Sequence, residues 1–526
     1  MDLEVALTVV LVSVVALLIA AQFLRVPYPI LLVLGGLGLA AIPDIPSVEL
    51  EPDLVLVIML PPLLYAAAFF TPLRELRRNV GPISLLAVGL VLATMLVVAF
   101  VAHHVLGFGW APAFVLGAIV SPTDPVAATA IARRLGAPGR IVTIVEGESL
   151  INDGTALVAY KFAVAAVLTG SFSLVEAGGD FVLNAVGGIA VGVAIGAVVA
   201  AIRRRLENPP VEITIALFTA YFAYLPAEEL GVSGVLAAVT VGIYMGRLTS
   251  QLTTPTTRIQ GIAVWEILVF LLNSALFVLI GLQLPTVLEA IEENSAATLL
   301  AEGALIAATV MAVRVAWVFP LTYAPRLLRR VREAGPPPPW QHTLLVAWTG
   351  MRGAVSLAAA LALPFVVDAG GDFPHREEII FLAFSVILGT LVVQGLTLPP
   401  LIHFLDVDDA DEVLEREESK ARLLATHAAL ARLEELVEEE WVREDTLERV
   451  RGAYDYRRRR FSARFEEDGD TDGFEERTEA YQRLVRELLN AQRETLLELR
   501  ASGRINDEVM RKIERELDLE DSRLEI

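Results

Sequence analysis

The stretch FVLGAIVSPTDPVAATAIA, residues 114–132, decides what kind of fold this chain can adopt. A helix that crosses a bilayer needs about 20 mostly apolar residues, and this stretch has that length and character at both ends. At its middle, however, it carries Asp124 beside Pro122 and Pro125. Because each proline removes a backbone donor and clashes with the preceding turn, the helix should be interrupted here. We therefore expect one half-helix to end and another to begin around Thr123.

A second apolar stretch has a matching interruption. In AWTGMRGAVSLA, residues 347–358, Gly350 and Gly353 flank an arginine, Arg352. Broken helices at corresponding positions in the two halves of a chain indicate a transporter site. We expect the two breaks to cross near the middle of the membrane, with Asp124 neutralising half-helix N-termini and Arg352 neutralising C-termini.

The rest of the first 405 residues is also apolar, and 55% of the whole chain is hydrophobic, above the usual level for a soluble domain. We predict thirteen membrane spans, at roughly 3–23, 28–42, 53–72, 80–102, 111–134, 142–170, 181–202, 211–227, 231–247, 262–284, 297–324, 341–367 and 378–404. The broken spans, fifth and twelfth, are seven apart, which inverts the second unit relative to the first. The predicted fold is an all-α polytopic membrane protein with two inverted six-helix repeats.

The loops between these spans alternate in charge. Positive residues stay on the cytoplasmic side of a membrane, and the basic loops hold Arg25, Arg74, Arg77, Arg78, Arg133, Arg134, Arg140, Arg203, Arg204, Arg205, Arg247, Arg258, Arg326, Arg329, Arg330 and Arg332. The opposite loops hold Asp44, Glu49, Glu51, Glu228, Glu229, Glu289, Glu292 and Glu293, with Arg376 as their clear base. This predicts a protein of the cytoplasmic membrane with its N-terminus outside and its C-terminal tail in the cytoplasm.

Residues 406–526 form a separate, acidic region with 36 acidic and 22 basic residues. Their composition predicts a helical cytoplasmic tail, with helices over about 411–462 and 475–518, after a transmembrane domain over 1–405. The run Leu3 to Phe23 lacks a basic start and a cleavage site, so we interpret it as a retained helix. The chain has no cysteine and no P-loop or HExxH motif, so we expect no cofactor, no nucleic-acid partner and no enzymatic activity.

The sixth span opens with VEGESLINDGTALVAYKF, residues 145–162. Ser149 and Asp153 are four residues apart and share one helix face, and Glu148 and Asn152 form a second such pair. A sodium ion prefers hard oxygen ligands, which Asp153, Ser149 and the unwound backbone around Thr123 would supply. Since a bare carboxylate is disfavoured inside the membrane, Asp153 would hold either a proton or a cation. This competition predicts antiport.

Other functions fit the residues less well. Potassium/proton exchange on the same scaffold stays open, because ion radius depends on fine geometry. A channel would need a filter sequence, which the chain does not show. An intramembrane hydrolase would need a nucleophile motif, and Gly147-Glu148-Ser149 continues with Leu150 and Ile151 rather than as GxSxG.

The motifs SPTDPVA (121–127), EGESLINDG (146–154), GMRGAVSLA (350–358) and LVVQGLTLPPLI (391–402) together resemble those of the bacterial sodium/proton exchangers among the cation:proton antiporters. The resemblance implies that Asp153 carries the cation and the proton, with Ser149 and Thr123 as further sodium ligands. It implies electroneutral exchange, which Asn152 marks, and a homodimer in the lipid bilayer.

The same resemblance implies a structural ion pair between Glu148 and Arg314 of the eleventh span. The chain departs from the family at Ala66, where many relatives carry an acid. Lys161, two turns beyond Asp153, we interpret as snorkelling to the outer interface; the alternative is that it tunes an outer vestibule.

Overall fold

The computed structural model describes residues 3–24, 27–40, 54–170, 174–283, 287, 296–324, 338–368, 370–405, 407, 410–439, 441–462 and 474–524. The chain divides into two compact units, Met1–Asp408 and Asp409–Ile526. Helices dominate the described residues of both units, and an isolated bridge between Val366 and Asp372 is the β pairing found there. The predicted all-α class is confirmed.

The first unit runs through seventeen labelled helices and two short π-helical segments. The helices up to the first break are α1 (Leu3–Leu24), α2 (Tyr28–Ala40), α3 (Leu60–Phe70), α4 (Leu73–Arg78), α5 (Val80–Ser84), α6 (Val91–His104) and α7 (Trp110–Val120). Those that follow are α8 (Pro125–Arg134), α9 (Gly139–Thr169), α10 (Leu174–Arg203), α11 (Pro209–Glu229), α12 (Gly234–Leu252), α13 (Pro255–Leu282), α14 (Ala296–Tyr323), α15 (Trp340–Trp348), α16 (Ala354–Leu361) and α17 (Arg376–Leu405). The π-helical segments, Leu54–Met59 and Leu85–Leu90, are continuous with α3 and α6 and were not predicted.

Nine helical stretches in the described residues are long and apolar enough to cross a membrane, and three shorter apolar ones accompany them. The shorter ones lie at Val12–Ala21, Tyr28–Ala40 and Val55–Phe70. The number of thirteen crossings stays a prediction. The chain is nevertheless a multi-pass membrane protein, because long, almost uncharged apolar helices in this number are typical of proteins that cross a bilayer several times.

Both predicted breaks are present. The fifth span is interrupted at residues 121–124, between α7 and α8, and the twelfth at residues 349–353, between α15 and α16. The helices around them pack into what we call the core bundle, α5–α9 together with α14–α17. A second group, the scaffold bundle, contains α1–α3 and α10–α13.

Glycines bring the scaffold helices close together. A Cβ on Gly246 of α12 would lie 2.4 Å from the carbonyl oxygen of Phe69 in α3, and one on Gly242 would lie 2.7 Å from that of Tyr65. Larger residues at these positions would force α12 away from α3, so this part of the scaffold bundle depends on close backbone contact.

The second unit contains four helices, α18 (Ala410–Leu436), α19 (Glu444–Ser462), α20 (Phe474–Ala501) and α21 (Asp507–Leu524). Each of the two helical stretches predicted for the tail therefore contains two helices instead of one. The turn between α20 and α21 contains Gly503 at φ +70°, a left-handed conformation that favours glycine and ends the helix. Leu489, Leu496 and Leu517 form the buried contact between these two helices.

Several residues used to predict topology lie outside the described part of the chain. These are Arg25, Asp44, Glu49, Glu51, Glu289, Glu292, Glu293, Arg326, Arg329, Arg330 and Arg332.

Candidate ion-binding site

The two helix breaks are in direct contact. The backbone N–H of Asp124 donates to the carbonyl oxygen of Met351 at 2.8 Å. One oxygen of the Asp124 carboxylate accepts from the backbone N–H of Val126 at 2.9 Å and so caps α8. The other oxygen lies against Gly353, where a Cβ would be only 1.8 Å away. Asp124 therefore occupies the N-terminal ends of both α8 and α16, where a negative charge is stabilised.

Arg352 occupies the opposite pole of the crossing. Its side chain is fully buried. The guanidinium donates through Nε to the carbonyl oxygen of Val120 at 3.0 Å, at the end of α7, and through another nitrogen to the carbonyl oxygen of Gly350, just beyond α15. Its backbone N–H donates to the hydroxyl of Thr390 at 3.1 Å. A cation thus lies where the last carbonyls of two half-helices would otherwise lack partners.

A buried ion pair connects the sixth span to the eleventh. Arg314 donates to the two carboxylate oxygens of Glu148 at 2.5 and 2.8 Å, and neither side chain is more than 1% exposed. The same guanidinium donates to the carbonyl oxygen of Val346 at 3.0 and 3.2 Å, near the end of α15. This two-bond geometry fixes α9, α14 and α15 relative to one another.

Thr123, Ser149 and Asn152 form a polar cluster beside this pair. The hydroxyl of Thr123 donates to Glu148 at 3.1 Å, accepts from the side-chain amide of Asn152 at 2.8 Å, and lies 3.4 Å from the hydroxyl of Ser149. The amide oxygen of Asn152 is buried and makes no hydrogen bond within the described residues. The hydroxyl of Thr123 is thus largely occupied by protein partners.

Asp153 lies one turn beyond Ser149 on α9 and is half-buried. Its carboxylate has no hydrogen bond or ion pair with any residue that the structure describes. The next residue, Gly154, faces the scaffold bundle: a Cβ there would lie 3.2 Å from the side chain of Leu236 in α12. Asp153 is therefore adjacent in sequence to the point where α9 meets the scaffold bundle.

The predicted residues thus do not form a single hydrogen-bonded site. Asp124 belongs to the helix N-termini and not to the Thr123 cluster. Glu148 and Arg314 form a charge pair that is hydrogen-bonded to that cluster through Thr123, and Asp153 makes no hydrogen bond to any of these residues. Among the described residues, no three His, Asp or Glu side chains form a cluster suited to a resident metal.

Two contacts had no clear sequence signal. Thr390, which accepts from Arg352, is an ordinary polar residue in an apolar span. Lys161 pairs with Glu228 at 3.0 Å, and the other oxygen of Glu228 accepts from the backbone N–H of Gly234 at the start of α12. Lys161 is partly exposed, and its ion pair with Glu228 connects the core bundle to the scaffold bundle. The sequence did not predict this ion pair. Ala66 packs in the apolar interior of the scaffold.

A pair of broken helices in contact, with an acid at one pole and a base at the other, defines a secondary transporter of the crossed-helix antiporter class. The family model for the transmembrane domain of sodium/hydrogen exchangers matches residues 9–403. The chain belongs to the sodium/hydrogen exchanger family.

Individual relatives agree with this assignment. An uncharacterized Na(+)/H(+) exchanger of Mycobacterium tuberculosis is 35% identical over 98% of this chain and 96% of its own length. The Na(+)/H(+) antiporter ApNhaP of Aphanothece halophytica is 36% identical over 79% of this chain and 76% of its own. The solved structure of the sodium proton antiporter MjNhaP1 from Methanocaldococcus jannaschii shares the fold, with a TM-score of 0.60, 20% identity, and coverage of 77% of this chain and 99% of that one.

Proposed function

We propose that this protein exchanges sodium for protons across the cytoplasmic membrane, and that Asp153 is the residue that binds each ion in turn. The observation that carries the proposal is a half-buried carboxylate without a protein partner among the described residues, beside a cluster of neutral oxygens. Every other acid of the site has a partner: Glu148 has Arg314, and Asp124 has the ends of two half-helices.

Competition at Asp153 gives coupling. A sodium ion at the carboxylate would take further oxygens from Ser149 and from the unwound backbone at Thr123. A proton neutralises the same oxygens, so the two cargoes exclude each other. One carboxylate changes its load by one unit charge, and the proposed stoichiometry is therefore one sodium for one proton, without net charge movement.

The position of Asp153 next to Gly154, where α9 meets the scaffold bundle, supports alternating access. If the core bundle moves against the scaffold bundle, the boundary beside Gly154 and Leu236 is where water reaches the site from one side and then the other. A bare carboxylate would oppose this movement, because a charge inside the membrane costs several kcal/mol. A loaded carboxylate would not.

The alternation of basic and acidic loops supports an N-terminus outside and a cytoplasmic tail. A hydrogen bond between two of the basic loops supports their lying on the same side of the membrane. Arg140 at the end of one loop donates to the side chain of Asn79 in the other at 3.2 Å. A homodimer, suggested by the family resemblance, stays a prediction.

Exchange assays in liposomes test the assignment. Wild-type protein, Asp153→Asn and the control Glu266→Gln, which changes an exposed carboxylate on scaffold helix α13, are reconstituted, and proton flux is measured on addition of sodium or potassium. We expect sodium-dependent flux that a membrane-potential clamp does not alter, lost in Asp153→Asn and retained in Glu266→Gln. Coupled flux that survives in Asp153→Asn would overturn the site, and flux with potassium alone would keep the mechanism and change the cargo.

A further inference from the structure

A cavity of about 260 Å³ lies in the scaffold bundle, away from the crossed helices. It is lined by the ends of α3, α10 and α12 and by the starts of α11 and α13, which are the helix ends that carry basic loops, and it is open on one side. Apolar groups form most of its wall, and the largest are Phe69, Phe70, Ile213, Ile262 and Trp265. Nothing in the antiport mechanism uses this space.

Arg203 is the buried charge of the cavity. Its side chain is about 5% exposed, and its Nε makes no hydrogen bond within the described residues. The nearest carboxylate oxygen, on Glu212, is 3.7 Å from the guanidinium, too far for a hydrogen bond. Glu212 instead accepts from the hydroxyl of Thr257 at 3.3 Å through its other oxygen. A buried guanidinium with one unmet donor lines a largely apolar space, an arrangement that is costly unless a further partner completes it.

A second guanidinium lies at the same cavity. Arg258, at the start of α13, is half-buried, lines the cavity and has no ion pair in the described part of the chain. Because Glu212 balances the charge of Arg203, Arg258 leaves the cavity with one excess positive charge. Ser250 adds a hydroxyl group to the wall, whereas the hydroxyls of Thr249 and Thr253 already donate to backbone carbonyls of α12 at 2.7 Å.

We propose that this cavity binds an anionic phospholipid, with its phosphate at Arg203 and Arg258 and part of an acyl chain against the aromatic wall. Basic pockets between membrane helices favour anionic head groups. A free phosphate would satisfy the guanidinium groups but leave the aromatic wall uncovered. A zwitterionic lipid would cover the wall but leave the excess positive charge unbalanced. The lipid would join five scaffold helices, and so would strengthen the bundle against which the core bundle moves.

Binding is measured on the full-length protein, delipidated in detergent, by native mass spectrometry and by the shift in melting temperature. The probes are phosphatidylglycerol, phosphatidylcholine and inorganic phosphate. We expect phosphatidylglycerol to stay bound and to raise the melting temperature, and the other two to do neither. An equal effect of phosphatidylcholine would overturn the role of the charges, and an equal effect of phosphate alone would overturn the lipid.

Two matched pairs of variants locate the site. Arg258→Gln should weaken phosphatidylglycerol binding at least fivefold, whereas Arg247→Gln, an exposed arginine outside the cavity wall, should not. Gly261→Leu should fill the cavity, since a Cβ there meets only Ile213 at 3.8 Å, and Gly38→Leu, with open space around it, is its control. Equal losses in Arg258→Gln and Arg247→Gln, or undiminished binding in Gly261→Leu, would place the lipid elsewhere.

Discussion

Replacing Arg314 by glutamine should destabilise the membrane domain strongly, because it leaves a carboxylate buried without its cation. Glu148 is 1% exposed and would keep one hydrogen-bond donor among the described residues, the hydroxyl of Thr123 at 3.1 Å. Removing one partner of a buried ion pair costs about 3–5 kcal/mol. At about 1.4 kcal/mol per tenfold, that is a loss of about 10² to 4 × 10³ in the ratio of folded to unfolded protein.

The double variant Glu148→Gln/Arg314→Gln separates this effect from loss of packing. Two neutral amides carry no uncompensated charge, so the double variant should be more stable than Arg314→Gln alone, with a coupling energy near the upper end of about 0.5–3 kcal/mol. Arg78→Gln, which removes an exposed pair with Glu75 at 3.3 Å, should cost no more than about 1 kcal/mol.

Unfolding of the purified proteins in detergent, followed by tryptophan fluorescence, compares wild type with four variants: Arg314→Gln, Glu148→Gln, the double variant and Arg78→Gln. The reasoning is refuted if Arg314→Gln loses no more stability than Arg78→Gln. It is equally refuted if the double variant loses the sum of the two single losses, because the two residues would then not act as a pair.

Two further changes probe the crossing and the boundary between the bundles. Gly353→Ala places a Cβ 1.8 Å from the Asp124 carboxylate, so the carboxylate must leave the end of α16, and sodium-dependent proton flux in liposomes should fall at least tenfold; unchanged flux would contradict this. Lys161→Gln removes the 3.0 Å contact with its carboxylate partner on α11, a partly exposed pair worth at most about 1 kcal/mol, and should shift the balance between the two access states up to about fivefold. The resulting change in exchange rate should shrink as ionic strength rises, because salt screens exposed pairs; an effect independent of salt would mean that the contact acts through packing.

The helix breaks were predictable because their causes are local. Pro122, Pro125 and the pair of glycines around Arg352 act on the backbone within a turn, and no tertiary information is needed to read them. The apolar runs were predictable for the same reason, since a membrane imposes length and composition on each helix separately.

The hydrogen-bond and ion-pair partners of the polar side chains were harder to predict from the sequence. The contact between Arg352 and Thr390 depends on how α16 and α17 pack, and many threonines in apolar spans bond only to their own helix. The Lys161–Glu228 pair depends on the relative position of the two bundles. The turn at Gly503, which divides the predicted helix into α20 and α21, and the two π-helical segments depend on tertiary packing. The periodicity of apolar residues does not encode that packing.

The sequence also did not separate the roles of neighbouring oxygens. Thr123 was predicted as a sodium ligand, and its hydroxyl also lies in a network with Glu148 and Asn152. Only the position of the side chain reveals which of its oxygens remains for a cargo ion. The roles of Asp153, Ser149 and Thr123 stay predictions until transport is measured.

The contacts at the crossing join segments that are made at very different times. The guanidinium of Arg352 bonds a carbonyl 232 residues earlier in the chain, and Arg314 bonds a carboxylate 166 residues earlier. At a synthesis rate of about 5–20 residues per second, α7 and α9 exist for roughly 10 to 50 s before their cationic partners have been made. During that interval the nascent chain carries the Glu148 carboxylate and the terminal carbonyls of α7 without the arginines that pair with them in the finished protein. If the ribosome stalls before α14, the truncated product keeps an unpaired carboxylate and uncapped helix ends inside the bilayer. Proteases that degrade incomplete membrane proteins could recognise such a product by these groups.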